Sequence, residues 1–275
     1  MPHLIINADD YGRTPGISRG IRHAHLHGIV TSATVMMNMP TASADVRRAL
    51  EHTPTLGLGV HLVLTAGCPL SSPAAVPSLV SPSGLFHTRR DFIQRAPRLN
   101  PEEAKTEWRA QIEAFTTAAG KPPTHLDSHH HASYFTPALL RAMLELAREY
   151  GLPVRLPVSR EAPARLRGIP DALAPEMCRA APDLLAEFQP RRPDAFFDSF
   201  YAQGATVDGL LAILNTLPER GCYEIMCHPG FVDDALLQSS SYTHQREHEL
   251  SVLTSPEVRQ AIARRGIQLV SFSTL

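Results

Sequence analysis

Basic excess, long apolar runs and paired cysteines are all missing from this chain. Lys plus Arg number 26 against 27 for Asp plus Glu, a net charge of -1. No field of positive charge is therefore on hand to gather nucleic acid or an anionic membrane surface. No apolar stretch approaches the roughly 20 residues that span a bilayer. Met1-Pro2-His3 leads into an apolar run too brief for a secretory signal. The expectation is a cytoplasmic protein with no membrane insertion and no nucleic-acid partner. The four cysteines, Cys68, Cys178, Cys222 and Cys227, form no C-x-x-C pair. That disfavours a structural zinc site on thiolates and leaves free thiols in a reducing compartment.

What is present is a rhythm. Short apolar runs alternate with longer amphipathic segments over all 275 residues. Strands are expected at Leu4–Ile6, Val30–Met37, Leu58–Leu64, Thr124–Asp127, Val154–Leu156, Ala195–Asp198, Cys222–Cys227 and Ile267–Phe272. Helices begin at Thr14-Pro15, Asn100-Pro101, Thr136-Pro137 and Ser255-Pro256. In each pair the first side chain can cap an orphan N–H, and proline has none to waste. Gly28 and Gly151 sit where helices should stop. Eight strands alternating with helices fit an α/β fold, a single-domain irregular β/α (TIM-like) barrel with long rim loops. A doubly wound open sheet is the rival, weakened because no G-x-G-x-x-G follows the first strand. Two stretches break the rhythm: a proline-rich insertion at about 66–99, and the Ser- and Asp-rich Asp233–Thr243. Loops of this length are usually functional.

Fourteen histidines concentrate attention, because several stand at strand ends. Leu4-Ile-Ile-Asn-Ala-Asp9-Asp10 ends a buried strand in two carboxylates. Adjacent strand residues face opposite sides, so both can serve one site only where the chain turns. A solvated acidic loop or a helix cap reads the pair equally well. His61 interrupts an apolar strand, and alone it reads better as a satisfied core residue. His125-Leu-Asp127-Ser-His129-His130-His131 packs five ionisable residues into seven positions. Period two puts His125 and Asp127 on one face, roughly 6.6 Å apart. His129 lies roughly 13 Å from His125 on a straight strand, so it is not an obvious co-ligand. Cys222-Tyr-Glu-Ile-Met-Cys-His228 again ends a strand in a histidine. The convergence of four strand ends is the strongest argument for a site. Carboxylates and imidazoles with open positions suit a divalent ion that activates water.

Three patterns are set aside. Gly16-Ile-Ser18-Arg-Gly20 fits G-x-S-x-G, but Thr14-Pro15 has already started a helix, so Ser18 is no nucleophile elbow. His244-Gln-Arg-Glu247-His248 fits H-x-x-E-H, without the later glutamate such a zinc site needs. His23, His25 and His27 lie two apart on a helix and read as solvated.

The motifs Asn7-Ala-Asp9-Asp10-Tyr-Gly12, Gly28-Ile-Val-Thr-Ser32, Gly59-Val-His61-Leu-Val-Leu-Thr65, Pro123-Thr-His125-Leu-Asp-Ser-His129-His-His131 and Glu224-Ile-Met-Cys-His228-Pro229 occur in order over nearly the whole chain. Together they resemble the YdjC-like carbohydrate deacetylases, which include chitooligosaccharide and hopanoid-associated enzymes. The resemblance implies hydrolysis of an N-acetyl group on a short N-acetylglucosamine-containing carbohydrate. An N-acetylated glycolipid is the alternative substrate, and a non-catalytic carbohydrate-binding protein the alternative class. It implies one divalent ion, magnesium by family, with zinc or cobalt suited by two imidazoles. Asp10, His61 and His125 would be its ligands, Asp9 the general base and His228 the general acid. Asp127, His129 and His131 would contact substrate, and a homodimer is allowed. One departure stands out: relatives often carry a further histidine just after the triplet, where this chain has Ala132 and Ser133.

Overall fold

The computed structural model describes residues 1–158 and 168–275. Among the described residues seven parallel strands form one curled sheet: β1 His3–Tyr11, β2 Ser32–Val35, β3 Gly57–Leu62, β4 Leu126–Ser128, β5 Ala195–Phe197, β6 Cys222–Cys227 and β7 Gln268–Leu269. Their order is β4-β3-β2-β1-β6-β5, and β7 joins only the first residues of β1. The segment expected as the strand Val154–Leu156 carries an isolated parallel bridge from Val154 to Leu126. Further along, the Phe196 N–H donates to the Val158 carbonyl. This segment thus spans the gap between β4 and β5, curling the sheet into an irregular barrel.

Helices clothe the outside. They are α1 Pro15–His27, α2 Ala42–His52, α3 Arg89–Arg95, α4 Pro101–Ala119, α5 Pro137–Tyr150 and α6 Ala174–Phe188. After β5 come α7 Val207–Thr216, α8 Asp234–Ser239, α9 His244–Leu253 and α10 Pro256–Arg264. All four expected caps are made: Thr14, Asn100, Thr136 and Ser255 accept a first-turn N–H ahead of a proline. Gly151 ends α5 in the left-handed conformation at φ 64°. Gly28 ends α1 for a different reason: a Cβ there would lie 2.5 Å from the Leu253 carbonyl oxygen. Ser18 sits inside α1, its hydroxyl donating to buried Asp45, a structural role. Among the described residues no helix is long and apolar enough to cross a membrane.

The two rhythm-breaking stretches are more ordered than loops. The insertion contains α3 and is tied down by α4, whose buried Glu107 accepts the Leu70 and Ser71 N–H groups. The Asp233–Thr243 stretch contains α8, capped by Asp233. Both reach the C-terminal rim, where Arg89 and Ser239–Tyr242 wall one cleft of about 650 Å³.

Candidate active site

The end of β1 solves the problem of two neighbouring carboxylates. The strand runs on to Tyr11, beyond the Ile6 limit expected from apolarity, carried by its parallel pairing with β2 and β6. Its pairing with β2 slips between Ala8 and Tyr11. Asp10 there is left-handed at φ 71°, a conformation that costs a non-glycine residue energy. The slip breaks the two-residue alternation, so Asp9 and Asp10 both line the cleft, each almost fully buried.

Asp10 meets two rings. Its Oδ1 lies 3.6 Å from His61 Nε2 and 3.1 Å from His129 Nδ1, and the two nitrogens are 3.2 Å apart. Three donors on a triangle of this size suit an ion about 2 Å from each. Asp10 Oδ1 is buried without a hydrogen-bond partner of its own. The donor chemistry, one carboxylate and two imidazoles, fits a divalent metal. Asp127 faces His61 across the β3–β4 register and accepts from its Nδ1 at 2.6 Å, which aims Nε2 at the triangle. A second grouping, Asp9 with His61 and Asp127, also comes within ligand range. There the Arg155 guanidinium already sits on both carboxylates, and a metal cation beside it would be repelled.

His125 is not part of the triangle. It precedes β4 and so lies one layer deeper in the barrel than Asp127. Its ring stacks on Phe272 at 3.7 Å, and its nitrogens engage Asn7 at 3.1 Å and the Thr124 hydroxyl at 2.9 Å. His129 takes the position expected of it because the chain turns after Ser128. His130 and His131 are both left-handed, at φ 55° and 59°, and fold the histidine run over the cleft. The 13 Å separation on a straight strand never applies. Gly59 leaves room for the His125 ring: a Cβ would lie 2.5 Å from it. Gly59→Ala is expected to cost about 1–3 kcal/mol, read as a lower thermal midpoint. An unchanged midpoint would mean the ring is not held.

Behind the pair of aspartates stands Arg155, wholly buried. Nη1 and Nη2 grip Asp9 at 2.7 and 2.8 Å, Nη1 also meets Asp127 at 2.9 Å, and Nε reaches Glu224 at 2.7 Å. Burial alone would raise Asp9, but the Arg155 charge overrides it and holds the carboxyl below its usual range. One guanidinium does not neutralise three carboxylates, and burial pushes Glu224 up to about 8. Asp10 is likewise held well below the usual range, the charge of buried Arg246 outweighing desolvation.

Opposite Asp9 is His228, just after β6. Its Nε2 lies 4.0 Å from Asp9 Oδ2. Burial pushes its pKa down to about 4, against the pull of Asp9, so the ring is neutral at pH 7. Tyr201 and Tyr242 stack on each other at 4.5 Å and present edges to His228. Glu249 on α9 ties this wall together, accepting from the His228 N–H and from the Tyr242 hydroxyl. His131 lines the cleft with a buried, unpartnered Nδ1, while His130 bonds the Thr65 hydroxyl.

Arg155, Arg246, Glu249, Tyr201 and Tyr242 were not singled out in the sequence. Arg155 could have been: it is one charge between Val154 and Leu156 in an apolar run. On α9 the H-x-x-E-H pattern drew the eye to His244 and Glu247, which are exposed, whereas the buried face carries Arg246 and Glu249.

The geometry meets its relatives here. The family model described as "YdjC-like protein" matches residues 3–264. The chain belongs to the YdjC-like family. It is 42 % identical to a Brevibacillus brevis protein named carbohydrate deacetylase, with 99 % of each chain covered. A Geobacillus stearothermophilus protein of the same name is 39 % identical, over 99 % of this chain and 98 % of that one. A crystal structure from Enterococcus faecalis V583, described in terms of cellobiose-phosphate cleavage, is similar with a TM-score of 0.86 and 36 % identity. It covers 99 % of this chain and 98 % of that one. A family 4 carbohydrate esterase from Streptomyces lividans shares the fold at a TM-score of 0.52 and 13 % identity, over 98 % of this chain and 91 % of that one.

Proposed function

We propose that this chain removes the N-acetyl group from a short N-acetylglucosamine-containing carbohydrate, releasing acetate and a free amino sugar. One divalent ion would be held by Asp10, His61 and His129. Hydrolysis of an amide bond is the class shared with its curated relatives, the carbohydrate deacetylases. The observation that carries the reading is Asp9 Oδ2 facing His228 Nε2 at 4.0 Å beside the donor triangle. A site built only to bind sugar has no use for a matched proton acceptor and donor.

When bound in this triangle, a divalent ion would lower the pKa of a water and polarise the amide carbonyl. The resemblance favours magnesium, whereas two imidazoles favour zinc or cobalt. Asp9 Oδ2 takes the proton of the attacking water, whose oxygen joins the acyl carbon. Arg155 makes Asp9 a weak base, so the proton moves on to His228, the more basic group. The 4.0 Å gap is one that a bridging water or a small ring rotation closes. His228 then delivers the proton to the amine nitrogen as the C–N bond breaks. The imidazolium need not exist beforehand, in keeping with a ring neutral at pH 7. The cleft of about 650 Å³ suits a small ligand. The Tyr201–Tyr242 pair gives it an amphipathic wall for sugar rings.

The experiment is acetate release from N-acetylated mono-, di- and longer saccharides, with and without a chelator. Metal-dependent release, best on the short saccharides, is expected. Asp9→Asn should keep its ion and lose about 10²–10⁴ in kcat. Phosphate release from phosphoesters with no acetate from any sugar would replace the reading. Loss of the ion in a folded Asp9→Asn would make Asp9 a ligand.

A further inference from the structure

We infer that His125 and Asn7 form a positioning pair for Asp9: the ring fixes the Asn7 amide, and the amide fixes which carboxylate oxygen faces the cleft. This rests on reading Asp9 as the proton acceptor.

The hydrogens can be assigned one by one. The Thr34 hydroxyl has one proton and gives it to Asp127 Oδ2 at 2.9 Å. Toward Asn7 Nδ2, 3.3 Å away, it can only accept. The other Asn7 N–H goes to Asp9 Oδ1 at 3.0 Å. Both amide hydrogens are thereby used, and Asn7 Oδ1 must accept from His125 Nε2 at 3.1 Å. That places the ring hydrogen on Nε2 and leaves Nδ1 to accept from Thr124 at 2.9 Å. A flipped Asn7 would set carbonyl oxygen against carboxylate and amide hydrogen against ring hydrogen. Asn7 and His125 are both fully buried, so no water is at hand to repair such a clash. The ring cannot turn to follow it, being stacked on Phe272 and fitted against Gly59.

The consequence falls on Asp9. Arg155 grips both oxygens at nearly equal distances and does not distinguish them. Asn7 does. It adds a second hydrogen bond to Oδ1 and leaves Oδ2, the oxygen facing His228, as the better proton acceptor. His125 and Asn7 act through Asp9 and touch neither substrate nor ion. Buried groups of this kind typically change activity 10- to 100-fold when removed.

Three variants test this. His125→Phe keeps the stack on Phe272 but deletes the donor. His125→Gln keeps an N–H in reach of Asn7. Thr124→Val, at a half-buried position, removes the hydroxyl that donates to Nδ1 and helps hold the ring, and stands in if His125→Phe does not fold. Each is measured for ion content, for kcat and KM of acetate release from an N-acetylated disaccharide, and by crystal structure. His125→Phe should bind its ion and keep KM within about twofold while kcat falls about 10- to 100-fold. Its structure should show Asn7 turned and Asp9 rotated. His125→Gln should recover most of kcat, and Thr124→Val should lower kcat at constant KM. Parent-like kcat with an unmoved Asp9 in folded His125→Phe, or in Thr124→Val if the former fails to fold, would overturn the inference. So would loss of the ion from folded His125→Phe, or a Gln variant no better than Phe. If the parent itself releases no acetate, the deacetylase reading fails, and the positions of Asn7 and Asp9 in the variant structures still decide the pairing.

Discussion

Arg155→Met is expected to lose a large share of the protein's folding stability at neutral pH. The side chain lies wholly out of water and is the shared partner of Asp9, Asp127 and Glu224. Methionine fills similar volume, so cavity formation is a minor term. The dominant loss is electrostatic. Removing one partner of a buried ion pair costs about 3–5 kcal/mol because the remaining charge is stranded. Here Asp9 and Asp127 would face each other without a cation. Set against a typical domain stability of about 5–15 kcal/mol, that loss removes between about a fifth and all of the margin. Denaturant titration of the purified variant measures it directly. A loss below about 1 kcal/mol, the scale of a surface ion pair, would show that the carboxylates do not depend on Arg155.

Acid should unfold the protein early. Burial holds His125 well below the usual imidazole range, His131 at about 3 and His228 at about 4. In the unfolded chain each titrates near 6.5. As pH falls below 6.5 the unfolded chain takes up these three protons, and a fourth at His130, which burial holds at about 2; the folded chain refuses them until about pH 4. Stability therefore drops with falling pH across that window, at about 1.4 kcal/mol per proton per pH unit. For the first three protons alone the slope is about 4 kcal/mol per unit near pH 5. His61 does not add to it: despite its burial, Asp127 raises its pKa, so it is protonated in the folded state as well. The low pKa values of Asp9 and Asp10 preserve their stabilising contribution until pH falls below the usual carboxylate range. Thermal melts in chelator from pH 7 to 4.5 should show a steep fall in midpoint. A flat midpoint down to pH 5 would mean these rings are solvated in the folded state.

Much of this could be read from the chain. Capping residues before proline located four helices, because the chemistry is local to two residues. His61 and Asp127 could be suspected because each interrupts an apolar strand, and the register then sets them side by side. What could not be read was local backbone geometry. The slip at Asp10 and the left-handed pair His130–His131 decide which side chains enter the cleft. Neither is encoded by glycine, the usual marker of such a conformation. A straight-strand reading therefore set His129 aside as a co-ligand, while the family resemblance gave that place to His125. Arg246 and Glu249 were hidden for another reason. A buried charge looks like a surface charge until its partner is known, and theirs, Asp10 and the His228 N–H, are 236 and 21 residues away.

The central claim is the donor triangle, and metal content tests it most directly. Protein dialysed against zinc, cobalt or magnesium and then freed of excess ion should retain one ion per chain by elemental analysis. Folded His129→Ala should retain essentially none, with acetate release lost alongside it. Full occupancy in folded His129→Ala would contradict the account and return the third ligand to another residue.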